Sequence, residues 1–291
     1  LDYARQFPQA VRRSVIDGVA PPDMVLPASF STDGQAAFDK LLADCEREPA
    51  CSKAFPTLRS DWAALLTGLP RAVSAVHPLT GVPEQFTLTR EMVLAAVRGP
   101  LYAPAFAAAL PAAISAAAQG RFEALVGMGA LMSSRKGSQL FVGMHFSVVC
   151  AEDLPLLDKA TDAPGTDFGA DQSALYRRAC ADWPRGAVPA AFYGVPPASA
   201  PVLLLSGGLD PATPPRHGER VAKMLGAKAL HVVVPNAGHG VMSLGCMRDV
   251  VYRFVDAADD KDALAVDAAC VKGIPRPPAF VPIGVGAGAP R

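Results

Sequence analysis

Apolar residues run without alternation in two short stretches toward the C-terminal end, Ala200–Ser206 (APVLLLS) and Ala229–Val234 (ALHVVV). Continuous apolar runs of strand length are expected for parallel strands covered on both faces. Each is followed by helical spacing, at Arg216–Leu225 and from about Cys246 to Val255. Strand–helix–strand–helix at this interval predicts two βα units of a parallel sheet. A further strand is predicted at Arg12–Asp17 (RRSVID), which is short and β-branched and follows a helix-like opening that ends at Phe7-Pro8. Gly18–Pro22 then leaves it as a loop.

Between these segments the texture changes. Ser31 and Thr32 offer N-caps for a helix running to about Cys45, with Phe38, Leu41 and Leu42 on one face. Thr89 does the same for Arg90–Arg98, and helical stretches follow at Tyr102–Ala118 and Arg121–Met132, separated by Pro and Gly. No internal repeat is visible. The tail from Gly273, rich in Pro and Gly, reads as coil lying on the surface. The expected class is α/β, a partial parallel sheet with flanking helices interrupted by a large, mostly helical insertion. Residues 1–24 end a helix and supply a core strand, 25–197 form the insertion, and 198–291 close the sheet.

Composition narrows the function. The 291 residues are 51% apolar with a formal net charge of zero, enough for one large domain or two modest ones. Balanced charge gives no electrostatic reason to expect nucleic acid or an anionic membrane surface as partner. Long apolar stretches such as Ala103–Ala118 are broken by Pro104 and Pro111 and fall short of the roughly 20 residues a spanning helix needs. A soluble protein is therefore expected. The chain opens on Leu1-Asp2-Tyr3-Ala4-Arg5 like the middle of a helix, so the sequence is expected to begin inside a larger protein.

Six cysteines, Cys45, Cys51, Cys150, Cys180, Cys246 and Cys270, fall as three sequence neighbours, none with the C-x-x-C spacing of a zinc site. Spacing leaves the connectivity open, and buried free thiols are the alternative. Pairing of neighbours is the expectation, because each pair closes a local loop. Disulfides would mean an oxidising compartment and an exported protein.

Two loops place catalytic residue types just past a predicted strand, the edge at which open α/β sheets bind ligands. The first is Ser206-Gly207-Gly208-Leu209-Asp210-Pro211-Ala212-Thr213-Pro214. Its glycines permit a tight exit, and Pro211 biases Asp210 away from helical geometry. Taken alone, Asp210 could simply open a turn before the next helix. The second is Asn236-Ala237-Gly238-His239-Gly240, and a lone loop histidine is commonly a solvated bystander. Together they are the tail of the chain order Ser…Asp…His of α/β-hydrolases. In that chemistry His239 accepts the serine proton and returns it to the leaving group, while Asp210 fixes the imidazole tautomer.

GGLDPATPP followed by PNAGHG resembles the tripeptidyl-aminopeptidase branch of the prolyl-aminopeptidase-like α/β-hydrolases, exported bacterial serine exopeptidases and related esterases. The opening LDYARQFP and the VIDGVAPP segment resemble the stretch just after the nucleophile elbow of that family, and CAEDLP and GCMRDVV resemble it too. The resemblance spans nearly the whole chain and is strongest from Ala200 to Met247. It implies an α/β-hydrolase fold with a helical cap, Asp210 as triad acid, His239 as triad base, a peptide or ester substrate, and no cofactor or metal ion. It also implies disulfides and a secreted or periplasmic location.

One departure is large: no G-x-S-x-G elbow is present. Ser206 lies in LLSGG, Ser134 in SSRKG, Ser138 in KGSQL and Ser243 in VMSLG, none with glycine two positions to either side. By the resemblance the serine, the oxyanion-hole loop and the first strands lie upstream of Leu1. This chain alone is then expected to be inactive. Its exposed sheet edge would lead it to retain that upstream segment as a partner, pair with a copy of itself, or aggregate.

Glu152 and Asp153 are candidates to bind the substrate's α-ammonium group, as cap carboxylates do in related aminopeptidases; a solvated pair is the alternative. His77, His145, His217 and His231 read as structural or surface residues, with His217 in a helix and His231 in a strand. Arg12, Arg13, Arg135 and Lys136 read as solvated charges. The function expected is an exported aminopeptidase releasing short N-terminal peptides or residues. A carboxylesterase on the same scaffold, or a non-catalytic fragment or binding lobe, are the rivals.

Overall fold

The computed structural model describes residues 1–77, 80–134 and 141–283, without the side chains of 131–134. Five strands are present among them: β1 (Ser14–Asp17), β2 (Arg71–Val76), β3 (Pro83–Leu88), β4 (Val202–Gly207) and β5 (Ala229–Val234). They form two sheets, one in the order β1–β4–β5 and one a β2–β3 pair. Two compact units divide the chain, one built from Leu1–Gln35 and Phe141–Arg276, the other from the described parts of residues 36–140 and 277–291.

The first unit holds the sheet β1–β4–β5, with every pairing parallel. Ser14 lies opposite Val202 and Asp17 opposite Leu205, while Val202 lies opposite Ala229 and Gly207 opposite Val234. β4 is central and buried at every residue, the physical reason its sequence shows no polar alternation. Successive side chains point to opposite faces. Val202 and Leu204 pack with Val19, Val221 and Leu225 on the side of helix Pro215–Leu225. Leu203 and Leu205 pack with Val232, Val234, Met247, Val250 and Phe254 on the side of helix Met247–Asp256. Each such side chain contributes roughly 1.5–3 kcal/mol by leaving water.

Arg12 and Arg13, read from sequence as solvated charges, also bond carbonyls at the surface. Arg12 donates to Val255 O and Ala257 O, and Arg13 to Val255 O and Asp259 O. Cations at the C-terminal end of helix Met247–Asp256 satisfy its last carbonyls and complement its dipole. Arg135 and Lys136 lie outside the described residues.

The helix expected to start at Ser31 or Thr32 starts earlier and spans Leu26–Arg47. Asp153 caps it from a distance, its Oδ2 accepting from Leu26 N at 3.1 Å. The hydroxyls therefore serve other groups, Ser31 Oγ accepting from Gly165 N and Thr32 Oγ1 donating to Ala163 O. Ser and Thr side chains carry the same local signal whether they cap a helix or bond a neighbouring loop.

In the second unit, helix Leu58–Thr67 packs on Leu110–Ala118, and Arg90–Leu101 on Glu123–Ser134. Phe38 and Trp62 meet with ring centroids 4.6 Å apart. Thr89 caps Arg90–Leu101 through a bond from Met92 N, as its position predicts. The helical stretch expected over Tyr102–Ala118 consists of two helices, Pro104–Ala107 and Leu110–Ala118, because each proline opens a new first turn. The antiparallel hairpin β2–β3, with Arg71 opposite Leu88, was not anticipated.

Three disulfides form, Cys45–Cys51, Cys150–Cys180 and Cys246–Cys270, and no cysteine is free. The loops closed by the second and third span 30 and 24 residues. Loop-closure entropy makes each worth about 3–4 kcal/mol. Among the described residues no helix is long and apolar enough to cross a membrane.

Candidate active site

The C-terminal ends of β1, β4 and β5 converge on one cluster. Beyond β4, Gly208 N donates to Val234 O and Leu209 N to Ala237 O, so the two exit loops lie against each other by their backbones. A Cβ added to Gly207 would sit 1.9 Å from Gly238 O. Only glycine allows that approach.

Asp210 occupies the turn so formed and is 2% exposed. Its Oδ1 accepts from Ala212 N at 2.8 Å and Thr213 N at 3.0 Å. Its Oδ2 accepts from Thr213 Oγ1 at 2.8 Å and faces His239 Nδ1 at 2.9 Å. Burial pushes the Asp210 carboxyl upward, but the His239 hydrogen bond and charge, with the Thr213 and Ala212 amides, outweigh it. The net position is below the usual carboxylate range. An ionised carboxylate can only accept, so Nδ1 of His239 carries the proton and Nε2 is the basic nitrogen of the neutral ring.

His239 is held on several sides. Its side chain is 39% exposed, against none for that of Asp210. Thr213 Oγ1, committed to Asp210 as donor, lies 3.2 Å from Nδ1 and accepts a second, longer share of the same proton. Beneath the ring is Gly18, at φ +75°, where an added Cβ would come within 2.9 Å of His239 Cε1 and 3.2 Å of Thr213 Oγ1. Past the histidine, the Asp17 carboxylate accepts from Val241 N at 2.9 Å and Met242 N at 2.8 Å. A buried acid and an oriented, partly exposed imidazole suit general-base activation of a hydroxyl.

Asp17, Gly18 and Thr213 were not singled out in the sequence. A signal existed for Asp17, a carboxylate closing a predicted parallel strand at the edge where Asp210 and His239 were found. Thr213 lies in the quoted DPATPP, but nothing in that string says its hydroxyl turns back to Asp210.

Glu152 and Asp153 lie at the end of helix Val142–Glu152 and just beyond it. The partner the structure gives Asp153 is Leu26 N. Burial, supplemented by the charge of Glu152 and opposed by the Leu26 amide, pushes the Asp153 carboxyl up to about 7. Burial also raises Glu152. Tyr193 Oη donates to the backbone oxygen of Glu152, and burial followed by the two carboxylates raises the phenol.

The other histidines have local partners. His217 Nε2 meets Asp33 at 2.8 Å, His231 Nε2 meets Ser206 Oγ at 2.9 Å, and His145 Nε2 meets Tyr176 Oη at 2.6 Å. His77 Nδ1 accepts from Thr80 N near the β2–β3 turn. Ser206 is wholly buried, Ser243 is exposed, and Ser138 and the Ser134 side chain lie outside the described residues. Among the described residues no group of His, Cys, Asp and Glu is arranged to hold a metal ion.

Residues 166–267 match the model of the family Abhydrolase_4, TAP-like protein. No curated protein matches the chain. The matched segment contains β4, β5, Asp210 and His239, and the sheet around it is parallel with helices on both faces. Over residues 166–267, the segment that carries Asp210 and His239, the chain is similar to the TAP-like family of α/β-hydrolases.

Proposed function

We propose that this chain supplies the acid and base of a serine hydrolase, an exported aminopeptidase that releases short N-terminal peptides or single residues. The observation that carries the reading is the 2.9 Å contact between buried Asp210 Oδ2 and His239 Nδ1 at the C-terminal edge of a parallel sheet. In the mechanism His239 Nε2 takes the proton of a serine hydroxyl as it attacks the substrate carbonyl. Asp210 stabilises the imidazolium, and the proton then passes to the departing amine. The chain contains no G-x-S-x-G, so the serine and the oxyanion donors come from a segment outside these 291 residues, and the chain alone is inactive.

Residues 25–197 are read as the cap, and Glu152 with Asp153 as the anionic end of the substrate pocket. Both carboxyl groups are raised by burial, so an arriving α-ammonium would restore some of the stabilisation their charges lost with water. Three disulfides support an oxidising, extracytoplasmic location.

The test uses the complete enzyme on peptide anilides with free and blocked N-termini, alongside p-nitrophenyl esters. Cleavage of the free peptides only, lost in Asp210→Asn and His239→Ala, is the expected result. Ester turnover with no peptide turnover would replace the aminopeptidase with a carboxylesterase. Absence of turnover on every substrate would leave a binding lobe.

A further inference from the structure

The residues that flank His239 are glycines, Gly238 and Gly240, the latter at φ +83°. Such a loop does not fix an imidazole by its own stiffness. Its upstream side is tied to β5 and to the Leu209 N–Ala237 O bond. The downstream side depends on a different strand. There Val241 N meets both carboxylate oxygens of Asp17 at 2.9 Å, and Met242 N meets Oδ2 at 2.8 Å.

We propose that Asp17, with Gly18 beside it, is a positioning residue for the general base: β1 grips the loop past His239 and gives its ring a floor. This rests on the reading of His239 as the base of a serine hydrolase. The grip is charge-assisted, because an ionised carboxylate bonded to backbone amides makes shorter and stronger bonds than a neutral acceptor. It is also rigidly founded. Asp17 is in register with Leu205 of β4, and Gly18 N donates to Leu205 O at 3.1 Å. Val241 is wholly buried in the core with Met247 and Val250, so the amide that Asp17 holds is fixed from below as well. On the other side, the Gly18 backbone approaches His239 Cε1 so closely that an added Cβ would lie 2.9 Å away. Ring and loop are thus referred to one short strand that is separate from the segments carrying Asp210 and His239. Asp17 bonds amides of the loop, and its influence on the reaction passes through the placement of Nε2.

The test compares Asp17→Ala and Asp17→Asn in the complete enzyme. Displacing a catalytic group by about 1 Å costs on the order of 100-fold in rate. Asp17→Ala is expected to lower kcat by roughly that factor with KM nearly unchanged. Asp17→Asn keeps one acceptor oxygen but loses the charge, and is expected to recover only part of the loss, with the His239 ring resonances still shifted from wild type. In the complete enzyme, the same Ala substitution is expected to accelerate hydrogen exchange at Val241 and Met242 and to alter the ¹⁵N resonances of the His239 ring. If Asp17→Ala is too unstable to assay, Asp17→Asn and its ring resonances decide the question. Unaltered kcat and ring resonances in Asp17→Asn together with an unprotected Met242 amide in the wild type would overturn the proposal. His239→Ala serves as the reference. If it abolishes turnover while Asp17→Ala turns over like wild type, positioning is refuted and the base assignment stands. If His239→Ala itself retains turnover, the base assignment falls first.

Discussion

Replacing Asp153 by Asn should stabilise the chain at alkaline pH and do little in acid. Asp153 is mostly buried, its Oδ2 takes the Leu26 amide at the start of helix Leu26–Arg47, and its carboxyl is pushed up to about 7 from an ordinary 3.8. A folded-state value above the unfolded one means the favourable contribution is present below about pH 4 and lost as pH rises through about 7. Holding the ionised form in the folded chain at pH 8 therefore costs roughly 4 kcal/mol at most. Its position at a helix N-terminus favours a negative charge by about 0.3–1 kcal/mol, which an amide forfeits. Asn keeps a carbonyl oxygen for Leu26 N, so the cap itself survives. Asp153→Asn should gain about 2–3 kcal/mol at pH 8, with the gain shrinking toward zero near pH 4. Urea unfolding of both chains across that range, followed by circular dichroism, gives the difference directly. A loss of stability at pH 8, or a difference that does not vary with pH, would refute the reasoning. A gain would also show that a costly carboxylate is kept there at the expense of stability, as binding groups often are.

Other expectations concern the sheet and the pair. Leu205→Ala, at a wholly buried position of central β4, should cost about 2–5 kcal/mol in thermal or urea unfolding. Gly207→Ala places a methyl 1.9 Å from Gly238 O and must part the two loops that carry Asp210 and His239, so activity of the complete enzyme should fall by about 100-fold or more. Thr213→Val removes the hydroxyl that donates to Asp210 Oδ2 at 2.8 Å, leaves that oxygen one donor short, and should cost about 1–3 kcal/mol. Asp210 has a depressed pKa, so its contribution is present above the ordinary carboxylate range and fades as pH falls through the folded value. That acid-side fading should be weaker in Thr213→Val, and unfolding between pH 5 and pH 2 measures it.

Much of the sheet was legible because a strand buried on both faces has nothing but apolar positions to show, as Val202–Leu205 do. The two exit loops were legible because glycine and proline punctuation sits where the backbone must turn, and the order Asp210 then His239 narrows the chemistry. The elements missed share a different cause. β2 buries only Val73 and Ala75 and alternates too weakly to separate from coil or helix, and its partner β3 is mostly exposed. The start of helix Leu26–Arg47 was misplaced because its cap comes from Asp153, far away in sequence. Asp17 and Gly18 act through atoms more than two hundred residues away, and no local pattern encodes that approach.

The central claim, that Asp210 and His239 are the acid and base of a serine hydrolase, is tested most directly by fluorophosphonate labelling of the complete protein followed by mapping of the labelled residue. The account expects one labelled serine, outside these 291 residues, with labelling lost in His239→Ala and strongly slowed in Asp210→Asn. A labelled serine within this chain, or labelling indifferent to both substitutions, would contradict it.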